Sequence, residues 1–225
     1  MNEASKTHLI RGPDFAGKYL TGRVIDIGCG GDLVVPWAEP FDKIDGDAAK
    51  VSAVRPAGAY DSVHSSHCLE HMEDPVTTLA DWWSLVRPGG FLVTVVPDEE
   101  LYEQGLWPSL FNPDHKWAFT ISQPKEEHVM NVVDLHRGLP GAQIVEAHRH
   151  DVKYSHELLG LSRGKLNRGA WARYCDLVNF LQRNGVGRFR PELRMWPYWA
   201  RQGVPIDQTL GDALAQIQVV VRKAG

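Results

Sequence analysis

The sequence predicts an α/β fold in which helices cover both faces of a mainly parallel sheet. Three observations lead to this prediction: short apolar runs recur along the chain, helix-like stretches lie between them, and glycine or proline clusters separate the two. Strands that alternate with helices are typical of a parallel sheet. Ligands of such sheets bind at the carboxyl ends of the strands. We therefore expect the chemistry of this protein directly after its predicted strands.

Five segments are predicted as strands because apolar residues dominate them. Three of these are expected to be buried: Arg23–Ile27, Tyr60–Ser66 and Phe91–Val96. Gln143–His148 and Ala215–Arg222 are predicted as strands with partial alternation of apolar and polar residues.

The clearest predicted helix is Pro75–Arg87, where Asp74 is placed to cap the first turn. Its apolar residues recur on one helical face: Val76, Leu79, Trp83 and Val86. Two further helices are predicted over Lys125–Leu139 and Gly169–Asn184, the latter with Gly185 as its C-cap.

The chain has 225 residues, of which 43% are hydrophobic and 23% charged, close to the average of globular proteins. This composition excludes a disordered tail, a fibrous repeat and a coiled coil, and we expect a single domain over residues 1–225. The longest apolar stretches are far below the ~18 residues of a membrane span, and the N-terminus has no apolar signal segment. Three scattered cysteines without a CxxC pair favour a reducing cytoplasm over a disulfide framework.

The net charge of −4 is an average over two different regions. Residues 151–205 contain ten Lys or Arg and four Asp or Glu, whereas the rest of the chain contains 14 and 24. A basic segment inside an acidic protein indicates a local partner or ligand surface.

The stretch VIDIGCGGD is the most informative motif because a glycine-rich turn directly follows a predicted strand. The glycines allow a tight turn and a close approach of the backbone to a ligand. A dinucleotide fingerprint does not fit, since Leu33 occupies the position of its third glycine.

With its acid before two glycines, the motif resembles the first motif of class I S-adenosylmethionine-dependent methyltransferases. Asp26 matches the acid, and Gly28 and Gly30 match the glycines on either side of Cys29. Asp32 departs from the family, which often has another glycine there. The resemblance implies a Rossmann-like sheet with an antiparallel last strand, and S-adenosylmethionine as cofactor.

The family also has an acid after the second strand that holds the ribose of the cofactor. Asp42 and Asp45 both match this position, and we favour Asp42. The following Asp47 and Ala48 match a motif that contacts the adenine. On this alignment the helix and strand usually found before Tyr60 are almost absent.

Two later stretches extend the resemblance over about residues 24–96, and the last strand fits more weakly. SSHCLEHMEDP, which begins with Ser65 and Ser66, resembles the motif after the family's fourth strand, and we expect both serines to contact the cofactor. RPGG before Phe91 resembles the start of the fifth strand.

Methyl transfer to a hydroxyl needs a base, and histidine, with a pKa of about 6.5, suits this task. Three histidines lie where the active site is expected to open: His67 and His71 after the predicted strand Tyr60–Ser66, and His115 further along. We predict a catalytic role among these three.

A metal site is the alternative for His67, Glu70 and His71, because some family members bind a divalent cation through an E-x-x-E-H motif at this place. In this chain His67 would replace the first ligand. The sequence favours a structural role for these residues, so no metal site is predicted.

Two regions are expected to bind the acceptor: an aromatic-rich loop at residues 97–122, and the basic, aromatic insertion at residues 151–205. We expect methyl transfer to a small molecule, with a hydroxyl of a sugar or nucleotide sugar as first choice. An RNA or tRNA methyltransferase and a non-catalytic cofactor-binding module are the alternatives. Nucleic acid is not expected as a partner, and a homo-oligomer remains open.

Overall fold

The computed structural model describes residues 3–184 and 194–225, which contain a six-stranded sheet and a small two-stranded one. Strands β1 to β8 are Val24–Ile27, Glu39–Phe41, Tyr60–Ser66, Val86–Pro97, Ala118–Thr120, Val129–Asn131, Ala142–His150 and Gln216–Lys223. The large sheet has the order β2-β1-β3-β4-β8-β7, and β5 pairs with β6.

The large sheet confirms the predicted mainly parallel arrangement with an antiparallel last strand. Strands β2, β1, β3 and β4 run parallel, whereas β8 runs antiparallel to both β4 and β7. Strand β1 lies between β2 and β3. The chain therefore adds β2 on one side of β1 and then β3 on the other side. In sheets of this kind, ligands bind at such a switch point, which here lies at the carboxyl ends of β1 and β3.

The α-helices of the described residues are, from α1 to α7, Glu3–His8, Phe15–Tyr19, Pro75–Leu85, Val132–Arg137, His156–Ser162, Arg168–Arg183 and Trp196–Arg201. Short 3₁₀-helices cover Ala48–Ala53, Leu69–His71 and Gln208–Leu210, and a π-helix covers Glu99–Glu103. Helix α3 begins as predicted, since Asp74 Oδ1 accepts hydrogen bonds from the amides of Val76 and Thr77 at 3.0 and 3.2 Å.

Two predicted helices differ from the structure. The segment Lys125–Leu139 splits into strand β6 and helix α4, because Asn131 caps α4 through the amides of Val133 and Asp134. Helix α6 ends at Arg183, and the predicted cap Gly185 lies outside the described residues.

Helix α3 ends at Leu85, two residues before the predicted end. Val86 is paired with Tyr60 of β3 and therefore belongs to β4. Between β2 and β3 the chain forms the 3₁₀-helix Ala48–Ala53 and no strand, as expected from the reduced alignment in this region.

Contacts divide the chain into two compact units. Unit 1 consists of Met1–Asp98, Asp114–His150 and Gln216–Gly225; unit 2 consists of Glu99–Pro113 and Asp151–Ala215. The single-domain organisation expected from the sequence stays a prediction. Within the described residues, no helix is both long and apolar enough to span a bilayer.

Each unit has its own apolar core. Unit 1 has one apolar cluster that includes Ile25, Val63, Trp82 and Leu92, and a second cluster that includes Val24, Val93 and Val220. Unit 2 buries a smaller set: Leu158, Ala170, Tyr174, Ala200, Val204 and Ile206.

Candidate active site at the carboxyl edge of the sheet

The glycine turn after β1 is held against the ends of β2 and β3. The amide of Gly28 donates to the carbonyl of Phe41 at 2.8 Å, and Gly28 has a φ of 73°. A Cβ at this position would lie 2.6 Å from Cys68 Sγ, so a side chain does not fit. Gly30 has a φ of 54° and faces open space. Only glycine therefore allows this turn to pack on the segment that follows β3.

The carboxylate of Asp26 is buried beneath this turn, and both of its oxygens have hydrogen-bond partners. Oδ2 accepts from the amide of Val34 at 2.7 Å, and Oδ1 lies 2.6 Å from His64 Nδ1. Burial lowers the pKa of His64, which is therefore neutral and donates from Nδ1. Its Nε2 then accepts from Arg11 at 3.3 Å. Asp26 thus holds the loop in shape; its contact with the cofactor stays a prediction.

Asp42 is the first residue after β2 and connects this strand with the glycine turn. Its Oδ2 accepts from the amide of Gly30 at 2.8 Å, and Oδ1 accepts from the amide of Lys43 at 2.7 Å. Asp45 instead accepts from the amide of Asp42 at 3.0 Å and thereby closes the turn. The structure places Asp42, rather than Asp45, directly at the carboxyl end of β2.

Asp47 and Ala48 form the start of the 3₁₀-helix Ala48–Ala53. Asp47 Oδ1 caps this helix through the amide of Ala49 at 2.9 Å, and Trp82 Nε1 donates to the carbonyl of Ala48 at 2.7 Å. Their backbone is therefore fixed by packing on α3.

The two serines at the end of β3 differ. Ser65 Oγ donates to the carbonyl of Ile27 at 3.0 Å, which ties β3 to β1. Ser66 Oγ is buried and has no hydrogen-bond partner among the described residues. Nearby Cys29 is half-buried, and burial is the main cause that raises the pKa of its thiol. Burial also raises the pKa of Cys68 to about 12, so this thiol is a packing group.

The segment after β3 brings the three predicted histidines into one region. His67 has a φ of 52° and leads into the 3₁₀-helix Leu69–His71. The carbonyl of Glu70 accepts from the amides of Lys116 and Trp117 at 2.8 and 3.3 Å. This pairing places His115 beside His71, with ring centroids 5.0 Å apart.

Glu70 lies at the centre of these histidines and is 1% exposed. Neither carboxylate oxygen has a hydrogen-bond partner among the described residues. His67 Nδ1 and His71 Nε2 approach Oε1 at 3.6 and 3.9 Å. We call Glu70, His71 and His115 the Glu70 cluster, because a ligand atom from each lies within 4.8 Å of the others.

Sequence reasoning missed His64, Arg11 and Gln216, which position the site from other parts of the chain. Gln216 Oε1 lies 3.0 Å from His67 Nε2. A signal for His64 was present, since it is a polar residue inside a buried strand and pairs in register with Asp26. Arg11 and Gln216 are distant in sequence from every motif, so only the fold reveals them.

The predicted acceptor loop at residues 97–122 contains short elements: the π-helix Glu99–Glu103 and strand β5. Its first part includes Asp98, which is buried and paired with Arg149 at 2.8 Å. In unit 2, a row of aromatic rings runs from Phe111 through Trp171 and Tyr174 to Trp199, with centroids 5.7 to 6.2 Å apart. Arg188 and Arg190 of the basic insertion lie outside the described residues.

A family model identifies the family of this chain, and solved structures show a similar fold. The sequence matches the model of a methyltransferase domain over residues 4–132, whereas no curated protein matches it. A SAM-dependent methyltransferase from Archaeoglobus fulgidus has a TM-score of 0.50 at 15% identity, over 99% of this chain and 95% of that one. YcgJ from Bacillus subtilis has a TM-score of 0.52 at 13% identity, over 99% of both chains.

A third structure, a candidate sarcosine dimethylglycine methyltransferase from Galdieria sulphuraria, has a TM-score of 0.42 at 14% identity. The match covers 83% of this chain, which spans 58% of that protein's length. The family model covers more than half of the chain and the sheet order agrees with it, so the chain belongs to the methyltransferase domain family and is a class I S-adenosylmethionine-dependent methyltransferase by fold.

Proposed function

We propose that the protein transfers a methyl group from S-adenosylmethionine to a hydroxyl of a small molecule, with a sugar or a related metabolite as first choice. The observation that carries this proposal is the hydrogen bond from the Gly30 amide to Asp42, which holds the glycine turn at the switch point of the sheet. The bound cofactor supplies a methyl group on a sulfonium, so the protein mainly contributes position and electrostatics.

The residues at this edge fit the parts of the cofactor. Asp42 offers a carboxylate to the two ribose hydroxyls, and Asp47 with Ala48 offers a fixed backbone and an acid for the adenine amine. The Ser66 hydroxyl, which has no hydrogen-bond partner in the described ranges 3–184 and 194–225, is a buried donor that a bound ligand would satisfy. Gly28 and Gly30 supply a turn without side chains.

The acceptor is proposed to be a hydroxyl because three histidines surround one carboxylate at the carboxyl edge of β3. His67 and His71 lie within 3.9 Å of Glu70 Oε1, and His115 packs edge-on against His71. Such an arrangement provides a neutral imidazole that takes the hydroxyl proton, with a carboxylate beside it that stabilises the imidazolium. His67, His71 and His115 remain the proposed bases.

Calorimetry with S-adenosylmethionine and S-adenosylhomocysteine tests the cofactor part. Replacement of Asp42 by Asn is expected to weaken binding about tenfold or more, because it removes a charge-assisted hydrogen bond. The Asp45→Asn variant is the matched control and is expected to retain affinity within about threefold. Equal losses in both variants would contradict the assignment of Asp42, and the absence of binding in the unmodified chain would contradict the cofactor itself.

A screen of hydroxyl, amine and carboxylate acceptors with labelled cofactor tests the second part. Transfer to a hydroxyl compound supports the proposal, whereas transfer only to an amine or to RNA contradicts it. With an acceptor in hand, the pH–rate profiles of His67→Ala, His71→Ala and His115→Ala identify the base. Full activity in all three variants would exclude a histidine base.

A further inference from the structure

We propose that Glu70, His71 and His115 bind a divalent first-row transition-metal ion. The proposal goes beyond methyl transfer and does not depend on it. One ligand atom from each residue lies within 4.8 Å of the others. A carboxylate with two imidazoles is a ligand set that suits Zn²⁺ and its neighbours in the first transition row, whereas Mg²⁺ prefers oxygen ligands and water.

The first argument is the isolation of the Glu70 carboxylate. The side chain is 1% exposed, and neither oxygen has a hydrogen-bond partner among the described residues. A buried carboxylate that accepts no hydrogen bond is unfavourable in a protein interior. A cation bound between this carboxylate and the adjacent imidazoles would remove that penalty.

The second argument is the orientation of the His71 ring. Its Nδ1 lies 3.2 Å from the carbonyl oxygen of Asp114, which only accepts hydrogen bonds, so Nδ1 carries the hydrogen. Nε2 then carries the lone pair and lies 3.9 Å from Glu70 Oε1. Histidines that bind metal ions commonly donate their other ring N–H to a backbone carbonyl or a carboxylate in this way.

His67 repeats this arrangement on the other side of Glu70. Its Nε2 donates to Gln216 Oε1 at 3.0 Å, and its Nδ1 faces Glu70 Oε1 at 3.6 Å. The orientation of the Gln216 amide follows from its Nε2, which donates to Thr7 Oγ1 at 2.9 Å. His67 therefore adds no hydrogen bond to the Glu70 carboxylate.

The third argument is distance. Two ligands at about 2.1 Å from one tetrahedral ion are about 3.4 Å apart. The 3.9 Å between His71 Nε2 and Glu70 Oε1 is too long for a hydrogen bond and needs only a small closure to share an ion. Three protein ligands leave one position open, as in catalytic zinc sites. If methyl transfer also holds, an acceptor hydroxyl at this position would be acidified by the ion; His71 and His115 would then act as ligands, and His67 would remain as the base among the three proposed histidines.

The backbone keeps the third ligand in place. The amides of Lys116 and Trp117 both donate to the carbonyl of Glu70, and Lys116 also forms an ion pair with Glu73. His115, which precedes Lys116, is 7% exposed. A ligand from a distant segment is thus fixed to the same turn that carries Glu70 and His71.

The test uses the full chain after treatment with a chelator. Zn²⁺ is titrated by calorimetry, Co²⁺ by its visible absorption, and Mg²⁺ serves as the negative control. We expect one ion per chain, and affinity about 100-fold lower or worse in Glu70→Gln and His115→Asn. The His148→Asn variant changes an exposed histidine on β7 and is expected to bind as the unmodified chain does. The proposal is overturned by the absence of saturable binding, or by unchanged affinity in Glu70→Gln.

Thermal unfolding gives a second readout that needs no acceptor. In chelator, Glu70→Gln should melt above the unmodified chain because a neutral amide replaces a buried carboxylate that accepts no hydrogen bond from the described residues, and Zn²⁺ should raise the Tm of the unmodified chain only. A chelated Glu70→Gln variant that melts lower would overturn the argument from isolation. S-adenosylmethionine affinity, measured on the same samples, reports the proposed function separately, since its loss leaves the metal result intact.

Discussion

Asp26 and Glu70 are both buried carboxylates near the ends of neighbouring parallel strands, and each is 1% exposed. Asp26 lies in β1 and receives a hydrogen bond on each oxygen, from Val34 and His64. Glu70 follows β3, and its two oxygens have no such partner in the described part of the chain. Two carboxylates of equal burial therefore differ in whether the described residues supply hydrogen bonds to them.

The difference lies in what surrounds each acid. The partners of Asp26 are donors, an amide and a neutral histidine, so the fold itself satisfies the charge. The groups nearest to Glu70 are histidine nitrogens at 3.6 and 3.9 Å, beyond hydrogen-bond range. Hydrogen-bond networks in which every polar group has a partner make a scaffold rigid. A buried polar group without a hydrogen bond instead suggests that a ligand binds there.

The largest effect is expected from loss of the satisfied acid. Asp26→Ala leaves the Val34 amide and His64 Nδ1 without acceptors, so we expect the free energy of unfolding in urea to fall by about 4 kcal/mol. Asp134→Ala is the control, because Asp134 is exposed and its ion pair with Arg137 should contribute about 0.5 kcal/mol or less. A loss below about 1 kcal/mol in Asp26→Ala would contradict the view that the hydrogen bonds to Asp26, which Glu70 lacks, stabilise the fold.

His136 is a second buried group whose hydrogen bonds are all supplied by the fold, and its effect on stability can be measured through the pH dependence of unfolding. His136 is fully buried, and its nitrogens lie 2.7 Å from the Val132 carbonyl and 3.0 Å from Thr94 Oγ1. Burial lowers its pKa from 6.5 to about 4. The folded state keeps the neutral ring, so its stabilisation is complete above pH 6.5 and is lost as the pH falls toward 4.

This loss should amount to about 3 kcal/mol and be seen in urea unfolding at a series of pH values. His136→Gln, which cannot take up the proton, should flatten the dependence between pH 6.5 and 4. An identical slope in the variant would assign the acid sensitivity to other groups.

The smallest effect tests the loop that Asp26 supports. Gly28→Ala combines a positive φ with a Cβ placed 2.6 Å from Cys68 Sγ, so we expect a stability loss of roughly 2–3 kcal/mol and weaker cofactor binding. Gly30→Ala has a similar φ but open space, and about 1 kcal/mol is expected. Equal losses would mean that the contact with Cys68 contributes nothing.

Sequence reasoning predicted the sheet well because its signals are local. Tyr60–Ser66 is a strand with the predicted ends, and Asp74 caps α3 as expected, since apolar periodicity and capping depend on neighbouring residues. The helix over Lys125–Leu139 was wrong in its first half, because pairing of β6 with β5 overrides the local pattern.

The position of a site residue could be predicted from the sequence only where the residue belongs to a local sequence motif. The glycine turn and Asp42 come together as expected because they follow adjacent parallel strands. The proximity of His115 to Glu70 depends on backbone hydrogen bonds between segments about 45 residues apart, which no sequence pattern encodes. The lack of a hydrogen bond to the Glu70 carboxylate among the described residues is likewise visible only in three dimensions.

Gln216 has a position with consequences for how this chain tolerates changes in length. It is the first residue of β8, pairs with His150 at the end of β7, and fixes His67 through its amide. The 65 residues of Asp151–Ala215 thus lie between His150 and Gln216, which are paired with each other in the sheet. Insertions within them should cost little loop entropy. One residue added directly after Gln216, with the pairing of Ile217–Lys223 kept, would shift Gln216 by one position, turn its side chain to the opposite face and remove its contact with His67.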